Sequence, residues 1–272
     1  MNPLAITLLL MILLLPVSAF SDNTPTVYSA IVDEASNGVQ RLADETVSLA
    51  LTPFTVENGN IFLTLGVIGA TSLTYVFDSD IRQKLSSQQS RSLDRAADIG
   101  SLVGNPFIHI GMAALVYGMA IIDDSPKWKE TGEMMAEALI LADASSFIIK
   151  EAVGRGRPNS TVSKGDFRPF GFKNDYDSFP SMHTASSFAL ASVLAATSES
   201  FATKTAYYLA ATFVAFSRTY QNKHWASDVI FGAALGELCG RVVTSRHISG
   251  NKFSITPQAY ENGAGLALVG TW

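Results

Sequence analysis

Apolar and polar positions alternate along most of this chain with the period of a helix. Residues 30–50 carry a charged outer face opposite an apolar one, which predicts a helix. Over residues 134–149, Met135, Leu139, Ala142, Ser146 and Ile149 recur at helical spacing while Glu133 and Glu137 fall on another face. That pattern predicts a core helix ending in Lys150. Helices are expected again over 184–196, 204–216 and 224–243. Between them, residues 155–176 are rich in Gly, Pro, Asn and Asp and hold no sustained period, so they read as a long functional loop. Residues 80–95 are the most polar stretch and read as a solvated connection or exposed helix.

Two stretches, 59–77 and 107–122, are uncharged apart from the titratable His109. Both contain several small residues, which suits either helices buried in a bundle or weak membrane segments. Glu133, Glu137, Asp143, Lys204, Arg218, Asp228 and Glu237 interrupt the other apolar runs. The expected body is a globular helical bundle that touches a membrane surface rather than threading it repeatedly. The tail changes period: 253–258 and 265–272 are strand-like around Glu261-Asn262-Gly263, a hairpin turn. The fold class read from the pattern is all-α, a helical bundle with a short C-terminal β-hairpin.

At the start, the apolar run from Leu4 to Leu15, the break at Pro16 and the small residues of Val17-Ser18-Ala19 resemble an export signal. Cleavage is expected after Ala19, although the absence of Lys or Arg before Leu4 leaves an uncleaved anchor open. The expected organisation is a signal over 1–19, an N-terminal helical segment over 20–58, the main domain over 59–248 and the hairpin tail over 249–272. The expected location is the periplasm or cell envelope.

The net charge of -5 and pI near 5.4 offer no basic surface for nucleic acid. A single cysteine, Cys239, rules out an intramolecular disulfide and reads as a small core residue. Neither metal-ligand spacing nor a cofactor motif is recognised, and none is expected to be needed. The oligomeric state is not legible.

Chemistry-bearing residues gather in three segments: Lys150 to Pro158, Phe179 to Ser186, and Ser217 to Asp228. Each has a plain structural explanation. Lys150, Arg155 and Arg157 could complement a helix dipole, His183 could be a solvent-facing cap residue, and His224 with Asp228 could be a surface pair. Taken jointly they fit phosphoryl transfer, whose transition state spreads negative charge over equatorial oxygens. His224 and Asp228 are four residues apart, so on a helix the carboxylate could hold the imidazole. Pro180-Ser181 precedes a helical run whose N-terminal amides could face an anion, Ser181 could add a hydroxyl, and His183 could protonate a leaving oxygen.

These segments resemble the signature of the type 2 phosphatidic acid phosphatase superfamily, which includes class A acid phosphatases and vanadium haloperoxidases. Lys150 and Arg157-Pro158 match its K-x6-RP, Pro180-Ser181 and His183 its PSGH, and Ser217-Arg218, His224 and Asp228 its SR-x5-H-x3-D. The resemblance implies a helical bundle of that superfamily's type. Lys150, Arg157 and Arg218 would bind phosphate oxygens, with Ser181 and nearby amides assisting. His183 would be the general acid, His224 would form a phosphohistidine, and Asp228 would orient it. The motif's glycine is Met182 here, whose amide can still donate if its φ is ordinary and whose side chain must point away from the phosphate or narrow the pocket.

The expected activity is metal-independent hydrolysis of phosphate monoesters or pyrophosphates, of lipids first and of soluble esters as the close alternative. Vanadate-dependent halide oxidation and a non-catalytic anion-binding envelope protein are the readings from other classes.

Overall fold

The computed structural model describes residues 27–56, 59–161, 163–249, 253–260 and 263–270. The expected export signal, and Glu261 and Asn262 of the tail turn, lie outside them. Two compact units divide the chain, residues 1–40 and 41–272, with the boundary inside the first helix.

The helices are α1 (Val27–Leu51), α2 (Asn60–Ser86), α3 (Arg91–Val103), α4 (Pro106–Ile122), α5 (Pro126–Val153), α6 (Met182–Ala196), α7 (Phe201–Tyr220) and α8 (Ala226–Ser249). Short 3-10 turns occupy Thr52–Phe54 and Asn174–Tyr176. Strands β1 (Phe253–Tyr260) and β2 (Gly263–Gly270) pair antiparallel, from Phe253 opposite Gly270 to Tyr260 opposite Gly263.

Local chemistry sets several helix ends. Ser90 and Ser200 cap α3 and α7 by accepting from the amides of Leu93 and Thr203. Asn105 accepts from Phe107 N ahead of Pro106, whose missing N–H costs nothing at a first helical position. The polar stretch 80–95 splits into the end of α2, the link 87–90 and the start of α3.

Helix α6 is the centre of the second unit and packs against α5, α7 and α8. Its Ala185, Ala189 and Val193 are wholly buried and join Ala138, Leu139 and Ala142 of α5 and Cys239 and Val243 of α8 in one core. A row of small residues brings α8 against α6 at close range. A Cβ on Gly236 would sit 2.0 Å from the Ala185 carbonyl oxygen, and one on Gly240 would sit 2.4 Å from Ser192 Cβ. Glycine at both positions is therefore a condition of backbone approach.

Helix α2 differs. It is long and apolar enough to cross a membrane, and none of its most apolar window is buried. Phe62, Leu65, Ile68, Leu73 and Val76 are all exposed, and a Cβ on Gly66 or Gly69 would meet no atom within 4 Å. Of the two alternatives for 59–77, the buried bundle helix is excluded, because the small residues face open space. Helices α3 and α4 meet at a bend of 52° and together pass the same length and composition test. On α4, Gly111 and Gly118 also meet nothing within 4 Å.

Gly236→Ala is expected to lower stability by about 1–3 kcal/mol through overpacking, despite alanine's better helix propensity. Gly66→Ala, which meets no neighbour, should raise it by up to about 1 kcal/mol. Thermal unfolding of the two variants in detergent checks the opposite signs.

Candidate active site

The three segments converge on a cavity of about 380 Å³ at one end of the bundle, lined by Lys150, Arg157, Met182, His183, Arg218 and His224, with Phe147, Glu151, Phe172, Lys173 and Asp177. Helix α5 supplies Lys150 in its last turn and ends at Gly154, which adopts φ 59 and ψ 44. A side chain there would meet the Arg168 carbonyl at 2.0 Å, so only glycine lets Arg168 and Pro169 pack over the helix end. The fold-back is held by Arg168 N to Gly154 O at 2.6 Å and Phe170 N to Glu151 O at 2.7 Å. Helix α7 supplies Arg218 in its last turn, and α6 begins with Met182 and His183.

Ser181 and Asp228 do not line the cavity, and both are wholly buried. The Ser181 hydroxyl accepts from Thr184 Oγ1 at 3.0 Å, and its amide donates to the Asp228 carbonyl at 3.1 Å. Ser181 thus joins the start of α6 to the start of α8. Met182 is helical and absent from the positive-φ residues, so its amide keeps ordinary geometry, and the residue lines the cavity.

Each cation already has a protein partner. Lys150 Nζ donates to the Asp177 carbonyl. Arg157 grips the Asp177 carboxylate with two bonds, Nε to Oδ1 at 2.5 Å and Nη2 to Oδ2 at 2.7 Å. Arg218 donates to Ser101 Oγ, and its buried Nε has no partner among the described residues.

The sequence expectation for His224 needs correction. Helix α8 starts at Ala226, so His224 precedes it, and His224 Nδ1 stands 3.9 Å from Asp228 Oδ2, beyond hydrogen-bond range. The ring is held by the Ser178 carbonyl, 2.6 Å from Nδ1. A carbonyl only accepts, so Nδ1 carries the proton and Nε2 keeps its lone pair. Asp228 acts one step further back: it accepts from Ser178 Oγ at 2.5 Å and from Trp225 N at 2.8 Å, fixing both ends of the segment that seats the ring.

Behind Asp228 stands Arg155, 2% exposed, whose Nη1 reaches Asp228 Oδ1 at 2.5 Å and Ser227 Oγ at 2.7 Å. Its Nη2 reaches Asp78 Oδ2 at 2.8 Å. Asp78, buried on α2, also accepts from Ser227 N at 2.9 Å and Ser227 Oγ at 2.5 Å. The guanidinium lies near the Tyr75 and Trp225 rings, 4.9 and 5.4 Å from their centroids.

Electrostatics follow from this crowding. Burial, then Lys150, Arg157 and Arg218, hold the His224 imidazole well below its ordinary pKa, so it is neutral around neutral pH. His183 is lowered to about 3, by burial first and then by Arg218, Lys150 and Arg157. Lys150 is lowered to about 8, chiefly by burial.

Sequence reasoning missed Asp78, Ser101, Asp177, Ser178 and Ser227, and gave Arg155 only a helix-end role. The alternation of Arg155 and Arg157 around Gly156 was the one signal for Arg155. Asp78 lies 149 positions from Ser227, and nothing local marks it.

Residues 134–249 match the model of the PAP2 superfamily. A lipid A 1-phosphatase of Porphyromonas gingivalis is 32% identical over 184 residues, covering 65% of this chain and 36% of that protein. The chain thus spans about a third of that curated relative's length. Among solved structures, LpxE of Aquifex aeolicus aligns with a TM-score of 0.45 at 22% identity, over 60% of this chain and 92% of that one. A transmembrane PAP2 type phosphatidylglycerolphosphate phosphatase from Bacillus subtilis aligns with a TM-score of 0.48 at 15% identity, over 78% and 96%.

Arg155→Gln leaves two buried carboxylates without their cation and is expected to cost about 3–5 kcal/mol. Asp78→Asn, which keeps Arg155 paired with Asp228, should cost less. Chemical denaturation of both in detergent checks the order.

Proposed function

We propose that this chain, whose residues 134–249 match the PAP2 superfamily model, is a metal-independent phosphatase that takes a phosphate monoester or pyrophosphate of a lipid through a phosphohistidine on His224. The observation that carries this reading is the cavity itself: three cations and a neutral imidazole with a fixed tautomer share it with exposed Phe147 and Phe172. Phosphate suits the cations, and an acyl chain suits the phenylalanines.

In the first step the His224 Nε2 lone pair attacks phosphorus, and the bond to the leaving oxygen breaks in line. Lys150, Arg157 and Arg218 take the non-bridging oxygens; Arg157 can use Nη1 while Nε and Nη2 stay on Asp177. The first amides of α6 add donors without intrahelical partners. His183 gives its proton to the leaving oxygen. In the second step water attacks the phosphohistidine, His183 takes a proton from it, and phosphate leaves with His224 neutral again.

Burial first and the surrounding cations second depress His183, and the second cause is the one that substrate changes. A phosphate dianion among those cations offsets their repulsion of an imidazolium, so substrate binding itself favours the protonated ring. Asp228 is a positioning residue, acting on His224 through Ser178.

The exposed apolar face of α2 and the bent pair of α3 and α4 support membrane association. We place the protein in the cell envelope, exported as its first residues suggest.

His224→Ala is expected to abolish phosphate release from lipid phosphates with EDTA present, while the folded variant still binds inorganic phosphate. Release that survives the substitution, or that stops with EDTA while the protein stays folded, overturns the mechanism.

The acid limb of kcat/KM should lie below pH 6.5, because depressed basicity keeps His224 neutral to lower pH. Lys150→Met removes a repelling charge, so the limb should move to higher pH as kcat/KM falls. A pH–rate series corrected for substrate ionisation reads the sign directly.

A further inference from the structure

A second gathering of ionisable side chains lies far from the cavity. Glu137 precedes Lys150 on α5 by 13 positions, and His247 follows Asp228 on α8 by 19, which at a helical rise of 1.5 Å are about 20 and 28 Å. Glu45 of α1 meets them there. One ligand atom from each of Glu45, Glu137 and His247 lies within 4.8 Å of the others.

The group is buried: Glu45 is 0% exposed and Glu137 5%. Most charges around it are matched. Arg41 Nε holds Glu137 Oε1 at 2.8 Å and Arg41 Nη2 holds Glu133 Oε2 at 3.2 Å, while Arg246 lies 3.4 Å from Asp44 and donates to Ser48 Oγ at 2.6 Å. His247 Nε2 is 2.7 Å from Glu137 Oε2.

Glu45 is the exception. Neither of its carboxylate oxygens has a hydrogen-bond partner among the described residues, although it is sealed from water and its side chain reaches into the cluster. A buried carboxyl left in that state is costly and calls for a ligand. The other ring nitrogen of His247, Nδ1, lies 3.5 Å from Glu130 Oε1, close enough for an outer carboxylate to take its proton-bearing side once Nε2 is ligated.

We propose that Glu45, Glu137 and His247 form a site for a divalent transition-metal ion of the zinc class, clamping α1 to α5 and α8. Two carboxylates neutralise the ion's charge, and an imidazole with two oxygens and one water completes a four-coordinate shell. Magnesium and calcium fit poorly, because they want six or more oxygen ligands. The site is a clamp rather than a catalytic centre, being remote from the phosphate cage, and it stands independently of the proposed phosphatase activity.

The competing occupant is a proton. Burial and the neighbouring Glu137 carboxylate push Glu45 up to about 8, so a neutral acid is the alternative that the experiment must separate.

The full chain, purified in detergent and stripped with a chelator, is titrated with Zn²⁺ and with Co²⁺. The expected results are one zinc per chain by elemental analysis, a higher unfolding temperature with zinc but not with magnesium or calcium, and visible absorption of tetrahedral cobalt. Glu45→Gln and His247→Gln should each lose the bound ion and the absorption, and His224→Ala should keep both. The proposal is overturned by zinc content well below one, by equal uptake in Glu45→Gln, or by uptake that depends on His224. If a variant does not fold, the cobalt spectrum of the unmutated chain decides alone: absence of the tetrahedral bands overturns the site. Phosphate release by Glu45→Gln below its unfolding temperature keeps the clamp separate from the catalytic reading.

Discussion

The arrangement of the cavity depends on one guanidinium shared by two buried carboxylates. Arg155 stands between Asp78 and Asp228, all three almost wholly removed from water. Buried charges persist only when paired and hydrogen-bonded, so each of the three fixes the other two. Asp228 then has one orientation, which sets Ser178 Oγ and the Trp225 amide, and these two hold the loop on which His224 sits. The imidazole is thus placed by a relay of polar contacts from α2 through the loop after α5 to α8. The position of a single nitrogen lone pair is the end of that chain of constraints.

Helix packing supplies the other half of the geometry. Because Gly232, Gly236 and Gly240 let α8 approach α6 at backbone range, the first turn of α6 lies against the first turn of α8, and Ser181 bonds directly to the Asp228 backbone. The helix that carries His183 and the loop that carries His224 are therefore brought to one place by small residues, while the cations arrive from the ends of α5 and α7. Burial of these groups has an electrostatic consequence, since desolvation first and the three cations second hold both imidazoles below their ordinary pKa.

Much of this was legible locally. Lys150, Arg157, Met182, His183, Arg218 and His224 were marked by spacing and resemblance, and six residues from three segments do line one cavity. The helices were visible in their period, with ends displaced by a turn or less in most cases. The residues that hold the site were not legible, because each is ordinary in its own segment. Asp78 lies next to an apolar helix face, and Asp177 and Ser178 lie in a loop without period. Their meaning arises only where the chain returns to them.

Sequence by itself determined the helical class and the chemistry on offer, because period and residue type are properties of neighbouring positions. Tertiary structure decided which carboxylate touches which ring: Asp228 reads as the partner of His224 by spacing, yet the loop geometry puts the Ser178 carbonyl there instead. It also decided that the small residues of α2 face outward while those of α8 face α6. Both outcomes depend on which distant surfaces meet, and that is set by packing over the whole bundle.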